Sequence, residues 1–299
     1  MTRPHRAARP LHDDAMNRQL TRNPRIPLLC LALLGATAAA ADDTTATGAL
    51  YRQHCAECHS ADRLGALGPA LLPENLTRLK RKRAAAVIAD GRTATQMPPF
   101  RDKLSAAQIE ALVAYIYTPL ERLPAWGMPQ ISASRILLKR PGELPGQPLH
   151  GADPMNLFVV VELGDHHATI LDGDRMAPLT RVKTRFALHG GPKYSPDGRF
   201  VYFTSRDGWV SKFDMHSLQF VAEVRAGINA RNAAVSADGR IVMVANYLPH
   251  TLVALDSETL LPIRVIEVRG EDGTSSRVSN GMDSSPPLRQ TASRRQNGS

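Results

Sequence analysis

The sequence predicts a multidomain chain in which a small all-α module is followed by an all-β partial propeller. Three observations predict it. A Cys-x-x-Cys-His pentapeptide, Cys55 to His59, sits in a helical-looking stretch, and further apolar residues recur at helical spacing near residue 109. From residue 156 the pattern changes to short β-branched and aromatic runs. The pentapeptide Ser195-Pro196-Asp197-Gly198-Arg199 then returns after 41 residues as Ser236-Ala237-Asp238-Gly239-Arg240, a period that belongs to propeller blades of four short strands.

At the N-terminus, residues 17–25 are polar and basic, Ile26 to Gly35 mostly apolar, and Ala36 to Ala41 small. That is the order of a secretory signal peptide, so 1–41 is read as a signal peptide with an N-terminal extension, Met16 being an alternative start. The apolar run is short for a bilayer span, which argues against a stable membrane anchor. Leu29 is a poor residue to precede a lipidated Cys30. The mature chain is expected in the periplasm, beginning near Ala41 or Asp42. Net charge is +9, but the first 25 residues hold six arginines against two aspartates, and the last twenty hold three arginines against one. The body is therefore close to balanced, and nothing points to nucleic acid.

Residues 42–118 form the α module. Two cysteines three apart can each bond one edge of a porphyrin while the adjacent imidazole faces the iron, so Cys55, Cys58 and His59 read as a haem c attachment site. Half a zinc site or a thioredoxin-like pair has the same Cys-x-x-Cys core. Zinc is disfavoured because the chain has three cysteines and the third, Cys30, falls in the segment expected to be removed. Met97 lies 38 residues after His59 in the proline-stiffened Gln96-Met97-Pro98-Pro99-Phe100, where it offers a thioether as sixth ligand; a core methionine is the plainer alternative. Gly65-Ala66-Leu67-Gly68-Pro69 reads as a turn on the histidine side. Leu104 to Tyr117 reads as an amphipathic helix, with Ser105 as N-cap and Gln108 as its capping-box partner. In this order the pieces resemble a class I cytochrome c domain.

Prolines between 119 and 130 read as a linker that lets the two parts fold independently, so that proteolysis beyond about residue 130 leaves the helical module. Residues 131–279 read as a partial propeller of roughly three and a half blades of ~40 to 45 residues. The runs beginning at Asn156, Phe200 and Ile241 are each followed by a second run closing on Asp172, Asp214 or Asp256, which opens a turn. Residues 280–299 turn to Gly, Ser, Pro, Arg and Gln. They are expected to be a disordered tail, or to mark a truncated or frame-shifted product.

A Cys-x-x-Cys-His module joined to a propeller of this period resembles the cytochrome cd1 family, and within it the NirN-type branch of haem d1 biosynthesis more than the nitrite reductases. Tyr51 to His59, Gly68 to Leu76, Ala94 to Pro98 and Ala114 to Pro119 carry the resemblance, which continues through the blades. It implies a propeller that holds a noncovalent haem d1. His189 stands where a histidine binds the d1 iron, and Arg206, Arg231 and Tyr247 where groups face the anionic macrocycle. A satisfied polar histidine and loop arginines in salt bridges are the plainer readings of these four. His166, His167 and His250 carry no match and are taken as turn or rim residues. The resemblance implies an oxidoreductase that oxidises dihydro-haem d1 to haem d1 and exchanges electrons with periplasmic electron-transfer proteins, with a homodimer possible. A nitrite reductase fragment and a non-enzymatic electron carrier or haem d1 binding protein are the alternatives.

Overall fold

The computed structural model describes residues 46–278; the segments read as signal peptide and C-terminal tail lie outside them. Residues 46–54 are helical (α1), and one further turn, Ala56–His59 (α2), follows Cys55, whose amide donates to the Tyr51 carbonyl at 2.8 Å. Helices Arg81–Asp90 (α3) and Ala106–Ile116 (α4) complete the module. The cap of α4 forms as its sequence demands. Gln108 N donates to Ser105 Oγ at 3.2 Å, and Ser105 N donates to Gln108 Oε1 at 2.8 Å. Ile109, Leu112, Val113 and Ile116 are buried with Tyr51, Ile88 and Phe100 in one core. Carbonyls at a helix C-terminus lack partners within the helix. Buried Arg63 supplies one here, donating to the Tyr115 and Thr118 carbonyls at 2.6 and 3.0 Å.

The remaining described chain makes three antiparallel sheets. Strands Leu157–Glu162 (β2), His167–Asp172 (β3) and Ala177–Lys183 (β4) form the first. Lys193–Tyr194 (β5), Phe200–Thr204 (β6), Trp209–Asp214 (β7) and Gln219–Arg225 (β8) form the second, and the short Ile136–Leu137 (β1) pairs with the free edge of β8. Asn229–Val235 (β9), Ile241–Leu248 (β10), Thr251–Asp256 (β11) and Pro262–Glu267 (β12) form the third. Side chains on a strand alternate between faces. On β6, accordingly, Val201 and Phe203 join a core with Ala168 and Ile170 of β3, while Tyr202 joins one with Val242 and Val244 of β10. The middle sheet is thus covered on both faces. The outer sheets leave apolar side chains open, Phe158 and Val160 on β2 and Ile263 and Ile266 on β12. The array is therefore not closed, as expected of a partial propeller.

Both Ser-x-Asp-Gly-Arg turns have the same internal bonding. Ser195 Oγ and Ser236 Oγ donate to Asp197 and Asp238 at 2.5 Å, each aspartate accepts the Arg199 or Arg240 amide at 3.1 Å, and Gly198 and Gly239 both have φ +73°. Only glycine takes that φ without strain. Asp172, Asp214 and Asp256 each accept backbone amides in the turn that follows.

The 119–130 segment differs from the expected tether. Leu120 and Trp126 pack in a cluster with Leu64 and Leu72 of the helical module, with Ile228 just before β9 and with Leu248 of β10. A short helix, Met128–Ala133 (α5), then sets Ile131, fully buried, between the second and third sheets. Apolar surface from both parts is shared, so the expectation of independent folding is corrected. Trp126→Ala removes the indole that donates to the Arg225 carbonyl at 2.9 Å. It should destabilise the chain by about 2 kcal/mol, less than a fully buried tryptophan because the ring is half-buried. Chemical denaturation measures this, and an unchanged midpoint would show that the cluster contributes nothing.

The turn between β6 and β7 buries a carboxylate. Asp207 is 2% exposed and Ser205 fully buried. A Cβ on Gly208 would lie 1.8 Å from the Gly227 carbonyl oxygen, so the loop is locked against its neighbour. Burial pushes the Asp207 pKa up to about 6, against the Ser205 hydrogen bond and the charge of Arg225. A carboxyl raised on folding binds more protons in the native state, so its contribution to stability is full below about pH 4 and is lost as pH rises to about 6. Asp207→Asn should flatten the stability profile over that window, by up to about 3 kcal/mol. Denaturation midpoints at pH 4.5 and 7.5 measure it.

Candidate functional site

In the helical module, α2 places Cys55, Cys58 and His59 on one turn, with the His59 amide donating to the Cys55 carbonyl at 2.9 Å. His59 Nδ1 lies 2.8 Å from the Pro69 carbonyl, which only an N–H can approach so closely, so Nδ1 carries the proton and the Nε2 lone pair is left for a metal. Burial lowers the His59 pKa, against that same carbonyl, and keeps the ring neutral. Gly68 is required beside it, since a Cβ there would sit 2.7 Å from His59 Cε1. The two thiols are not joined. Burial first, then the neighbouring Cys58, pushes the Cys55 pKa up to about 11, and burial raises that of Cys58. A dithiol redox motif needs a lowered thiol pKa, so these shifts run against the thioredoxin alternative. Among the described residues no cluster of three or more His, Cys, Asp or Glu is placed to hold a metal ion.

Met97 is half-buried and packs, like Cys55, against the helical core. Its loop is fastened at the base, where Arg92 N donates to the Met97 carbonyl at 3.1 Å. Gly91 has φ +72°, and a Cβ there would come within 2.8 Å of the same carbonyl. Two free thiols, an imidazole with an available Nε2 and a positioned thioether are the donor set that a haem c requires, and these residues fit it.

On the sheets, the structure brings together His189, Arg206, Arg231 and Tyr247. The His189 amide donates to the Thr204 carbonyl at 2.7 Å, and the following Gly190 has φ +81° with its backbone against Asn232. His189 Nδ1 lies 3.0 Å from the Arg231 carbonyl, and Nε2 accepts from Arg231 Nη1 at 2.5 Å. The proton is thus on Nδ1. Burial, then the charges of Arg231 and Arg206, lowers the His189 pKa. The Arg231 guanidinium stands 5.5 Å from the centre of the Tyr247 ring. Arg206 keeps an open side to solvent, yet partial burial and the charges of Arg231, Arg92 and Arg78 hold its pKa below the usual value. A cavity of about 220 Å³ adjoins, lined by His189, Thr204, Val161, Leu163 and Phe203. His189 and Arg231 are 42 residues apart, as are Asp172, Asp214 and Asp256, so they hold equivalent places on successive sheets.

The other histidines stay outside this cluster. His166, at φ +61° in the β2–β3 turn, is buried and meets the Phe186 ring edge-on, while His167 pairs with Asp165 and His250 contacts Ser275. Sequence reasoning missed the residues that join the helical module to this face. Arg225 Nη2 donates to the Leu64 carbonyl at 2.6 Å, and Gln96 Nε2 to the Asp165 carbonyl at 3.2 Å. With the Asn229 amide oriented to satisfy both neighbours, Asn75 Nδ2 donates to it at 2.7 Å and Asn229 donates to the Arg206 carbonyl at 3.2 Å. No local signal could have shown pairs so far apart in the chain.

Comparison with known proteins agrees with both halves. Residues 152–290 match the family described as cytochrome D1 heme domain, and 42–116 that described as cytochrome C oxidase, cbb3-type, subunit III. Dihydro-heme d1 dehydrogenase of Pseudomonas aeruginosa is 56% identical over 248 residues, 83% of this chain and 50% of that protein. Nitrite reductase of Stutzerimonas stutzeri is 26% identical over 262 residues, covering 81% of this chain and 46% of that one. The structure titled dihydro-heme d1 dehydrogenase NirN in complex with DHE superposes with a TM-score of 0.74 at 55% identity, over 80% of this chain and 51% of that one. This chain thus spans about half the length of the curated relatives it matches. Among the described residues no helix is long and apolar enough to cross a membrane. A c-type cytochrome module thus leads into a cytochrome D1 heme domain, and over the part it spans the chain resembles dihydro-heme d1 dehydrogenase.

Proposed function

We propose that the chain is a periplasmic c-type cytochrome that takes part in oxidising dihydro-haem d1 to haem d1. The observation that carries this reading is the convergence of His189, Arg206, Arg231 and Tyr247 on the face of the sheets next to the helical module. On this reading Cys55 and Cys58 of residues 42–118 would hold haem c covalently, and His59 and Met97 would ligate its iron. Residues 131–279 hold the d1-type macrocycle without a covalent bond. Bound haem c supplies a one-electron relay. Dehydrogenation of a dihydro macrocycle releases two electrons and two protons. The electrons leave singly through the helical module to a periplasmic electron-transfer protein, and the protons pass to solvent.

Each residue on the face has a task in binding. The lone pair on His189 Nε2, now engaged by Arg231, is the one that a d1 iron takes, and the Nδ1–H bond to the Arg231 carbonyl keeps the ring turned for it. The guanidinium released from Nε2 is then available to a carboxylate, as is that of Arg206, and bidentate geometry suits both. Tyr247 offers its ring as an apolar wall.

Met97→Ala should lower the reduction potential and remove the weak sulfur-to-iron absorption. Cys55→Ala with Cys58→Ala should abolish the c-type pyridine haemochrome band. A Met97→Ala protein with unchanged potential and spectrum would assign the sixth position to another residue. His189→Ala should weaken uptake of added haem d1 by at least about tenfold, followed by optical titration. Uptake equal to that of the parent chain would remove His189 from the site.

A further inference from the structure

We propose that the helical module completes the ligand site. Arg78 and Arg92, on two segments docked against the sheets, join Arg206 and Arg231 in binding the carboxylates of a d1-type tetrapyrrole. The proposal rests on the reading that the face around His189 binds such a macrocycle, and it makes the site bipartite.

The placement comes from the contacts that dock the module. Arg78 follows by three residues Asn75, whose side chain meets Asn229, and Asn229 in turn reaches the Arg206 carbonyl. Arg92 opens the Met97 loop, and that loop touches the first sheet's β2–β3 turn. Gln96 donates to the Asp165 carbonyl at 3.2 Å, and the Ala94 carbonyl lies 3.3 Å from where a Cβ on Gly164 would be. Both arginines are exposed, and their charges, with that of Arg231, act on Arg206. Three guanidinium groups, two of them from the helical module, therefore lie near enough to Arg206 for their charges to act on it.

What marks this place is that unpaired like charges gather in it. Several arginines of the sheet region are paired, Arg181 with Glu162 and Asp165, Arg185 with Glu223, and Arg199 with the buried Asp214, whereas Arg225 and Arg264 have no ion pair among the described residues. Arg78, Arg92, Arg206 and Arg231 make no ion pair among the described residues. The acidic residue of the touching turn, Asp165, is committed to Arg181 and His167. Gathered like charges repel, and an anion placed among them relieves the repulsion while gaining charge-assisted hydrogen bonds. Several carboxylates on one rigid macrocycle can reach arginines from both halves at once, which a small monoanion cannot do.

The test uses the full chain carrying its haem c, titrated with haem d1 and followed optically. Arg78→Gln with Arg92→Gln should weaken uptake about tenfold, each exposed charge contributing a few-fold, and should lessen the sensitivity of binding to salt. Arg78→Lys with Arg92→Lys should recover most of the loss. A control, Arg83→Gln with Arg264→Gln, removes equal charge from α3 and β12 and should leave binding within about twofold. The c-type spectrum of each variant reports that the module is folded. If Arg206→Gln weakens binding while the Arg78 and Arg92 pair behaves like the control, the inference is overturned and the reading of the His189 face stands. If the parent chain takes up no haem d1, both fall.

Discussion

The Arg225 guanidinium is the contact on which the arrangement of this chain depends. At the end of β8 its Nη2 donates to the Leu64 carbonyl of the helical module, its Nε donates to the Asp207 carbonyl of the β6–β7 turn, and its plane lies 4.8 Å from the centre of the Trp126 ring. Its own carbonyl accepts from Trp126 Nε1, and its amide donates to Ser134 Oγ at 2.8 Å. One side chain thus spans module, linker and sheet. Burial lowers its pKa, against the charge of Asp207, yet the group stays a cation because an arginine pKa begins so high.

The consequence for the site is geometric. Arg206 precedes the buried Asp207, and the turn that carries both is pressed against Gly227 so closely that Gly208 must lack a side chain. Anchoring the turn through Asp207 directs its neighbour outward toward Arg231 and the helical module. The two Ser-x-Asp-Gly-Arg turns use the same Ser–Asp bonding without docking, and their arginines serve structure instead, Arg199 pairing with Asp214 and Arg240 with Asp238. A turn chemistry used twice for folding is used a third time, with Ser205 and Asp207, to present a residue.

The two histidines proposed to bind iron follow one rule. At His59 and at His189 alike, Nδ1 donates to a backbone carbonyl, that of Pro69 or of Arg231, so each ring is held in the tautomer that keeps Nε2 basic. They differ in what stands at Nε2. His59 has no protein partner there among the hydrogen bonds of the described residues, whereas His189 Nε2 is engaged by Arg231.

Residue pattern alone determined whatever depends on neighbours along the chain. The capping box of Ser105 and Gln108, the buried stripe from Ile109 to Ile116, the cysteine pair with its histidine, and the turns at Asp197-Gly198 and Asp238-Gly239 are all set by residues within a few positions. Resemblance, not pattern, pointed to His189, Arg206, Arg231 and Tyr247, since a histidine or arginine alone is compatible with many surroundings. The tertiary structure decided that these four converge, that Leu120 and Trp126 tie the 119–130 segment to both parts of the chain, that β1 pairs with β8, and that the charges of Arg78 and Arg92 reach Arg206. These facts rest on contacts between residues tens to more than a hundred positions apart, and such contacts arise from the burial of shared apolar surface such as that of Leu72, Trp126 and Leu248, which no local periodicity records.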